Sequence, residues 1–396
     1  MTNAVPIFDS VQDLIVREKP ETPIFCFSPH VVQDRVQIFK EKFPGITAWA
    51  MKSNPHHQVL KAVVNAGIRH FDVASREEID AVQAVCPEAI LHFNHPVKSP
   101  EDIEYAWKIG IRSFVVDCFD EVNKISKVIK ANDISKYSAA TLLIRFYDQN
   151  VRGSDHYNFN VKFGASPEEA VDLLAQCKKF GFNVGLTFHC GSQNLRPETY
   201  RIMMHTARHI SMSAFQGEHQ EIHRLNIGGG FPCPYPDSNA PPISEYLKEI
   251  RLGGIEHLCE LMCEPGRFFV AEAASLLTRV TLRRYGDNRL YINDGIYGSF
   301  REPSYVALMP PARAYKADGT PISKLTTSLQ PFQIWGATCD SLDGLSNSVY
   351  LPNVIQTGDF IEWGMMGAYT IASTTHFNGF PPAKLVQIRS LDPWID

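Results

Sequence analysis

Apolar residues recur in short runs over the first two thirds of the chain. The runs occupy positions 24–27, 46–51, 70–74, 89–94, 113–118, 140–146, 184–190, 224–230 and 257–266. Between them lie segments in which apolar residues return about every 3.6 positions, as in helices with one buried face. Eight or nine strand–helix units at this spacing predict a parallel (β/α)8 barrel. A doubly wound sheet is the alternative, although the first strand–helix turn lacks a G-x-G-x-x-G pattern.

Two of the predicted helices carry signals at their ends. Ser75 precedes the helical segment 76–85 as a capping residue, and Glu78 stands at the capping-box position. Ser166 precedes a segment that begins with Pro167 and stops at Gly181. These signals support the helical half of the repeating unit.

The pattern changes after about residue 270. Apolar and polar residues then alternate one by one, with Gly, Pro and Asp between the runs, which predicts an antiparallel β domain, either a sandwich or a barrel. We therefore expect the barrel over residues 25–270. The β domain is expected over residues 271–396, completed by the N-terminal segment 1–24.

Composition narrows the class of protein. The chain has 396 residues, with 38 Lys+Arg, 43 Asp+Glu, a net charge of −5 and 44% hydrophobic residues. It is too apolar to be disordered, and it lacks the basic excess typical of nucleic-acid-binding proteins. Nine cysteines are scattered without a zinc-binding spacing, so we predict no metal site and a reducing compartment. No signal peptide and no membrane span of roughly 20 apolar residues is recognisable, which predicts a cytoplasmic protein without a membrane partner.

Several reactive residues stand where predicted barrel strands end, which is where barrel enzymes carry their active sites. Lys52 ends the run 46–51, and desolvation there would lower the pKa of its amine, as a nucleophile requires; a solvated loop lysine is the alternative. His189 lies at the end of the run 184–190 and could stack on a planar ligand or transfer protons, unless it is a core histidine. Gly228–Gly230 could bind a phosphate through backbone N–H groups, or form a plain turn.

Glu264 and Arg267 place a carboxylate and a guanidinium after the last predicted strand. A buried acid needs a partner, which could be a cationic ring nitrogen or Arg267 itself. In the β region, Cys339-Asp340 and Tyr369 follow glycine-rich segments, with simple packing roles as the alternative. Together these features fit a planar ligand that has a cationic ring nitrogen, a phosphate and a group reactive toward an amine. Pyridoxal 5′-phosphate meets these requirements.

The same residues form ordered motifs that resemble those of the fold-type III pyridoxal-phosphate decarboxylases, the family of ornithine, lysine, arginine and diaminopimelate decarboxylases. The resemblance runs from about residue 22 to about residue 390 and is closest to the ornithine decarboxylase branch, whose ending it shares at Phe377-Asn378-Gly379-Phe380. Its motifs are Ala50–Pro55, Phe71–Ser75, Lys162–Gly164, Phe188–Ser192, Gly228–Pro232, Glu264–Arg267, Cys339–Ser341 and Gly367–Thr370. It implies an alanine-racemase-like (β/α)8 barrel followed by an antiparallel β domain.

The resemblance also implies roles for individual residues. Lys52 would bind the cofactor aldehyde, His189 would stack on the ring, Glu264 would pair with the ring nitrogen, and Cys339 would return a proton to the substrate carbon. The other cofactor-binding positions are Asp72, Arg145, Ser192, Gly229, Gly230, Arg267 and Tyr369, with Glu78 as a nearby acid. Asp340 would receive the distal amine of the substrate, and Tyr297 and Phe377 would line the substrate site. In the family, Cys339 and Asp340 reach the site from a second subunit, so the resemblance implies a homodimer.

One departure concerns the substrate. Diamine-forming relatives place an acid shortly after the Tyr-Gly-Ser-Phe segment, and this chain has Val306 at that position. Arg301 and Tyr305 have instead the spacing with which diaminopimelate decarboxylases hold a distal carboxylate. The alternative is that Glu302 serves as the missing acid.

The leading interpretation is decarboxylation of an ornithine- or lysine-like L-amino acid to a diamine, of the kind used in polyamine biosynthesis. The alternative is a substrate that bears a distal carboxylate or an N-substituent, such as diaminopimelate or an intermediate of specialised metabolism. A non-catalytic relative is disfavoured because Lys52, His189, Glu264 and Cys339 are all present. An alanine racemase is disfavoured because it would need a tyrosine base where Cys339 stands.

Overall fold

The structure is a computed structural model of the chain. It describes residues 5–132, 139–151, 153–154, 161–215, 222–236, 238–306 and 308–394. Among these residues, no helix is both long enough and apolar enough to cross a membrane.

Eight parallel strands close into a barrel over the described residues; they follow one another in chain order, and the last lies beside the first. The strands are buried along most of their length because helices cover the outside of the barrel, which explains their continuous apolar runs. The strands are β3 (Ile46–Ala50), β4 (His70–Val73), β5 (Ile90–Phe93), β6 (Ser113–Val116), β7 (Thr141–Arg145), β8 (Asn183–Thr187), β9 (Arg224–Asn226) and β10 (Glu260–Cys263).

The helices of this part follow the strands in alternation. They are α2 (Pro29–Lys42), α3 (His57–Asn65), α4 (Arg76–Val85), α5 (Pro100–Lys108), α6 (Phe119–Asn132), α7 (Pro167–Lys179), α8 (Glu198–Ala214), α9 (Ile243–Gly253) and the short α10 (Arg267–Val270). Both predicted capping serines are confirmed: the Ser75 side chain accepts from the Glu78 N–H at 3.2 Å, and Ser166 forms a reciprocal capping box with Glu169. Gly181, at φ +88°, stops α7.

A second sheet of nine strands forms from the remaining described segments. Its strands are β1 (Ile7–Phe8), β2 (Ile24–Phe27), β11 (Ala274–Arg284), β12 (Arg289–Ile292), β13 (Ala312–Tyr315), β14 (Leu329–Trp335), β15 (Val349–Pro352), β16 (Phe360–Trp363) and β17 (Lys384–Ile388), with helices α1 (Val11–Glu18) and α11 (Arg301–Val306). Most pairs are antiparallel, as predicted, but β1–β17, β2–β17 and β12–β14 are parallel.

The apolar pattern predicts that the run at 24–27 belongs to the barrel, and this prediction is wrong. The structure places it in the second sheet as β2, where it pairs antiparallel with β11 and in parallel with β17. The remaining eight runs form the barrel. All four residues of β2 are buried, as are most residues of the barrel strands. A continuous apolar run therefore does not tell which of the two sheets contains the strand.

Candidate active site

The eight barrel strands run in parallel, so their carboxyl ends meet at one mouth of the barrel. A cavity of about 330 Å³ lies there, within the size range of small-molecule sites. Its walls are formed by Ala50, Lys52, Asp72, Ala74, Asn94, His95, Pro96, Arg145, Phe163, His189, Ser192, Gly229, Gly230, Phe231, Glu264, Gly266, Arg267 and Tyr369. All ten residues predicted to bind the cofactor line this cavity. Tyr369 comes from the second sheet domain, and its N–H donates to the Ser53 carbonyl at 2.8 Å.

Lys52 leaves β3 in a single 3-10 turn, Met51–Ser53, and enters the cavity. Its Nζ donates to Oδ2 of Asp72 at 3.2 Å. The Asp72 carboxylate raises the pKa of Lys52 above its ordinary value, and this effect exceeds the opposing effect of burial. The expectation that desolvation lowers this pKa is therefore wrong for the cofactor-free protein: a neighbouring charge outweighs the loss of water.

Glu78 lies beside this pair at the start of α4. Its Oε2 accepts from the Ala74 N–H at 2.7 Å, so the side chain holds the β4–α4 turn instead of completing a capping box with Ser75. Burial, with a smaller contribution from Asp72, raises the pKa of Glu78 to about 7. The Lys52–Asp72 pair thus has a second carboxyl close by that changes charge near neutral pH.

Glu264 follows β10 and is 7% exposed. Its Oε1 accepts hydrogen bonds from two side-chain amides, those of Asn94 and Asn226. Burial raises the pKa of Glu264 to about 7, with Asp72 adding to the effect. Neither asparagine is among the site residues predicted from the sequence. The available signal was their position, since each stands at the carboxyl end of an apolar strand run.

Arg267 is buried at the start of α10. It does not pair with Glu264, so the alternative in which Arg267 neutralises this buried acid is excluded. Its Nε and Nη2 donate to Oγ of Ser192 at 3.2 and 3.1 Å, and its Nη1 donates to the Tyr235 hydroxyl at 3.0 Å. Its Nη2 also pairs with the carboxylate of Glu302. These contacts leave a fixed cation on the wall of the cavity, next to the glycine turn.

The glycine turn after β9 brings the backbone close to the cavity. Gly230 adopts φ +107°, and a Cβ there would lie 2.5 Å from the Gly191 carbonyl oxygen. A side chain is therefore excluded at this position. With Ser192, Arg267 and the Tyr369 hydroxyl group nearby in the same wall, the turn provides the donors that an anionic phosphate requires.

His189 and Arg145 complete the wall of the cavity. His189 accepts from the Gly191 N–H at Nδ1, 3.0 Å away, and burial holds the pKa of its imidazole well below the ordinary value. It is therefore neutral at neutral pH and lines the cavity, in contrast to a histidine packed in the core. Arg145 ends β7, and its guanidinium lies 5.3 Å from the centre of the Phe163 ring.

The predicted proton donor Cys339 and three of the five predicted substrate residues form a separate cluster on the second domain. The Tyr297 hydroxyl donates to the Asp340 carboxylate, and the Tyr297 ring stacks on Phe377 at 4.4 Å. The Cys339 thiol lies 3.3 Å from Oδ1 of Asn378. Cys339 is exposed. Among the described residues, none of this cluster lines the Lys52 cavity.

Helix α11 carries the residues that bear on the substrate. Val306 is 5% exposed and belongs to the large apolar core, so the position where we expected an acid lies among apolar side chains. Glu302 is paired with Arg267, which argues against its serving as the missing acid. Arg301 is exposed and Tyr305 is 90% exposed, so neither is brought to the cavity within this chain.

The chemistry of the cavity wall fits pyridoxal phosphate. Arg267, Ser192 and the glycine turn suit a phosphate, the Lys52 amine suits an aldehyde, and Glu264 suits a ring nitrogen that carries a proton. Among the described residues, Oε2 of Glu264 has no hydrogen-bond partner. The described residues contain no group of three or more His, Cys, Asp or Glu side chains arranged to hold a metal ion.

Comparison with known proteins agrees with this chemistry. The family model described as "Pyridoxal-dependent decarboxylase, pyridoxal binding domain" matches residues 30–271. The decarboxylase flvG of Aspergillus flavus is 33% identical over 366 residues, which cover 88% of this chain and 81% of that protein. The ornithine decarboxylase of Schizosaccharomyces pombe is 30% identical over 369 residues, 91% of this chain and 79% of that protein.

Solved structures are similar over nearly the whole chain. The crystal structure of a lysine/ornithine decarboxylase from Vibrio vulnificus, complexed with putrescine, superposes with a TM-score of 0.78 at 28% sequence identity. The superposition covers 93% of this chain and 94% of that chain. The similarity therefore includes the second sheet domain as well as the barrel.

Proposed function

The chain belongs to the pyridoxal-dependent decarboxylase family and is an amino-acid decarboxylase, and we propose that it converts a basic L-amino acid, ornithine or lysine, into the corresponding diamine and carbon dioxide. The observation that carries the choice of substrate is the Tyr297–Asp340 contact beside Cys339. It puts a carboxylate, the natural acceptor for a distal ammonium group, next to a thiol. The relatives named ornithine decarboxylase and lysine/ornithine decarboxylase support this choice.

We assign the residues of the barrel mouth to the cofactor. Arg267, Ser192 and the backbone N–H groups of the glycine turn would bind its phosphate, and the Lys52 amine would take up its aldehyde with release of water. Glu264 would hold a proton on its ring nitrogen. When bound, pyridoxal phosphate accepts the electron pair that the departing carbon dioxide leaves on the substrate α-carbon.

The positive charge of Lys52 in the cofactor-free protein means that the amine must be deprotonated before it can react. Because Asp72 holds the lysine as an ammonium ion, its amine has to lose a proton before it can attack an aldehyde. Asp72 already accepts a hydrogen bond from this amine at 3.2 Å and is in place to receive the proton. Glu78, with a pKa of about 7, is the second carboxyl that can share this proton.

We assign the last proton transfer to Cys339, whose thiol supplies the proton that replaces the lost carboxylate on the α-carbon. A thiol can give up and regain a proton near neutral pH more easily than a hydroxyl group can. Asp340 holds the distal ammonium group, and its contact with Tyr297 lowers the pKa of its carboxyl, which keeps it charged.

The active site is completed in a homodimer. Cys339, Asp340 and Phe377 lie on the second domain, outside the walls of the Lys52 cavity, and Phe377 is 41% exposed. A cluster that must touch the substrate but does not line its own cavity can reach the cavity of a second copy, as a two-fold dimer allows. This arrangement accounts for the exposure of the thiol.

A panel of substrates tests the proposal. We expect purified protein with pyridoxal phosphate to release carbon dioxide from L-ornithine or L-lysine and to form putrescine or cadaverine, whereas the Lys52→Ala variant forms neither. The panel also contains arginine, diaminopimelate and an Nω-acetylated ornithine. Turnover of diaminopimelate alone would contradict the proposal and point to Arg301 and Tyr305, and turnover of the acetylated compound alone would contradict the role of Asp340.

A further inference from the structure

Two asparagine side chains donate hydrogen bonds to the same oxygen atom of Glu264. Asn226, at the end of β9, donates its amide to Oε1 at 2.5 Å, and Asn94, directly after β5, donates to the same atom. β9 is the neighbour of β10, which carries Glu264, while β5 lies three strands away on the other side of the barrel. The carboxylate is thus held from two directions across the barrel mouth.

This double contact makes the two carboxylate oxygens unequal. Oε1 accepts two amide hydrogens, which occupies both of its lone pairs. Oε2 accepts no hydrogen bond from the described residues, and Glu264 lines the cavity although the residue is only 7% exposed. A carboxylate largely shielded from water needs a partner, so Oε2 is the atom that a cationic group in the cavity would bind.

The charges around Glu264 act in opposite directions. Its own burial and the Asp72 charge favour the protonated carboxyl, whereas the Asn226 amide and the cations Lys52 and Arg145 favour the carboxylate. Hydrogen bonds donated to a carboxylate stabilise its charged form. The titratable groups that face it from the surrounding elements are Lys52, Asp72, Arg145 and His189, with Cys263 on its own strand.

We propose that Asn94 and Asn226 are positioning residues that favour the ionised form of Glu264 and leave Oε2 free to hold the protonated ring nitrogen of the cofactor. The inference rests on the proposed role of Glu264. Neither asparagine touches the reacting atoms in this account. They act through the Glu264 carboxylate, so their loss should change the pH dependence of the absorbance of the bound cofactor.

Asn226 makes two contacts that a substitution can separate, a hydrogen bond to Glu264 and a hydrogen bond that shapes the backbone. Its Oδ1 accepts from the Gly228 N–H at 2.9 Å and so shapes the glycine turn. Asn226→Asp keeps this acceptor and the size of the side chain but replaces the donor to Glu264. Asn94 offers an independent variant, because its Oδ1 has no partner among the described residues and Asn94→Ala removes only the contact with Glu264.

The experiment is a pH titration of the absorbance of bound pyridoxal phosphate, together with its dissociation constant at pH 7.5 from fluorescence. We expect Asn226→Asp and Asn94→Ala to move the acidic limb of the titration upward by about one pH unit and to weaken binding about tenfold. The matched control is Asn194→Asp, because Asn194 is a buried asparagine whose amide binds only the Arg196 backbone. It should titrate like the wild type.

Glu264→Gln separates failure of this inference from failure of the proposed function. If Glu264→Gln changes the titration but both asparagine variants titrate like the wild type, the positioning role is refuted and the role of Glu264 stands. If Glu264→Gln itself leaves the titration and the affinity unchanged, Glu264 does not hold the ring nitrogen, and the inference falls with it. Should Asn226→Asp not fold, by circular dichroism, Asn94→Ala decides the outcome.

Discussion

The Lys52 amine donates a hydrogen bond to the Asp72 carboxylate at 3.2 Å, within the cavity at the barrel mouth. The contact stabilises the ammonium form and raises the pKa of Lys52. The cofactor-free protein therefore presents a protonated lysine, and capture of the cofactor should be limited by the small fraction of neutral amine.

Asp72→Asn should shift the pH dependence of cofactor capture. Without the carboxylate the pKa of Lys52 falls, so the rising limb of capture rate against pH should move to lower pH by about one unit or more. The measurement is the rate at which visible absorbance appears when pyridoxal phosphate is added to cofactor-free protein at a series of pH values. Asp34→Asn, an exposed change on α2, is the control. An unshifted limb in Asp72→Asn would show that Asp72 does not set the charge of Lys52.

Cys339→Ala should reduce kcat and leave cofactor binding intact. Loss of a general acid typically costs about 10²–10⁴-fold in rate. Cys118 is the matched control, because it is the other exposed cysteine in the described part of the chain, so Cys118→Ala should behave like the wild type. Steady-state kinetics and cofactor absorbance check both variants. Wild-type rate and product in Cys339→Ala would remove this thiol from the mechanism.

Arg267→Lys should weaken cofactor binding while keeping the charge. A lysine cannot reproduce the contacts of the guanidinium with Ser192, Tyr235 and Glu302. Charge-assisted hydrogen bonds contribute about 1.5–3 kcal/mol each, so we expect a dissociation constant roughly tenfold to a hundredfold higher. Fluorescence titration measures it, with thermal unfolding to establish that the variant is folded. Equal affinities in Arg267→Lys and in the exposed control Arg208→Lys would contradict a phosphate role.

The cofactor-free protein should lose stability as pH rises from about 5 to 7.5. Burial raises the pKa of Glu264 from 4.5 to about 7, so between these values the folded protein binds a proton that the unfolded chain releases. Stability from this group falls as pH rises through that window. Glu264→Gln should flatten the decrease in Tm, whereas the exposed change Glu41→Gln should not. An identical slope in Glu264→Gln and wild type would contradict the raised pKa.

The barrel was predictable because its strands and helices have different apolar periods, and because parallel strands buried on both faces leave continuous apolar runs. The strand Ile24–Phe27 was misassigned for the same reason, since the second sheet buries it equally. The pattern shows that a run is buried but not which sheet contains it. Register and long-range pairing decide that question, and they are not local properties of the sequence.

Part of the site was predictable because reactive side chains stand at the carboxyl ends of the barrel strands. Lys52, His189 and Glu264 could be found in this way, and so could Asn94 and Asn226 have been. The sign of the Lys52 pKa shift could not be predicted, because Asp72 lies 20 residues away in sequence and only pairing of β3 with β4 brings the two side chains together. The same holds for Glu302, whose contact with Arg267 joins the two domains.

We propose that one active site combines Lys52 of one subunit with Cys339 and Asp340 of another. This proposal is tested most directly by mixing Lys52→Ala and Cys339→Ala proteins and measuring carbon dioxide release from the substrate that the panel identifies. Half of the dimers formed at random would contain one intact site, so the mixture should regain about a quarter of wild-type activity. A mixture of Lys52→Ala with Glu264→Gln, two changes in the same barrel, should regain none. If the first mixture stays as inactive as its parents although subunits exchange, Lys52 and Cys339 act within one chain and the shared site is wrong.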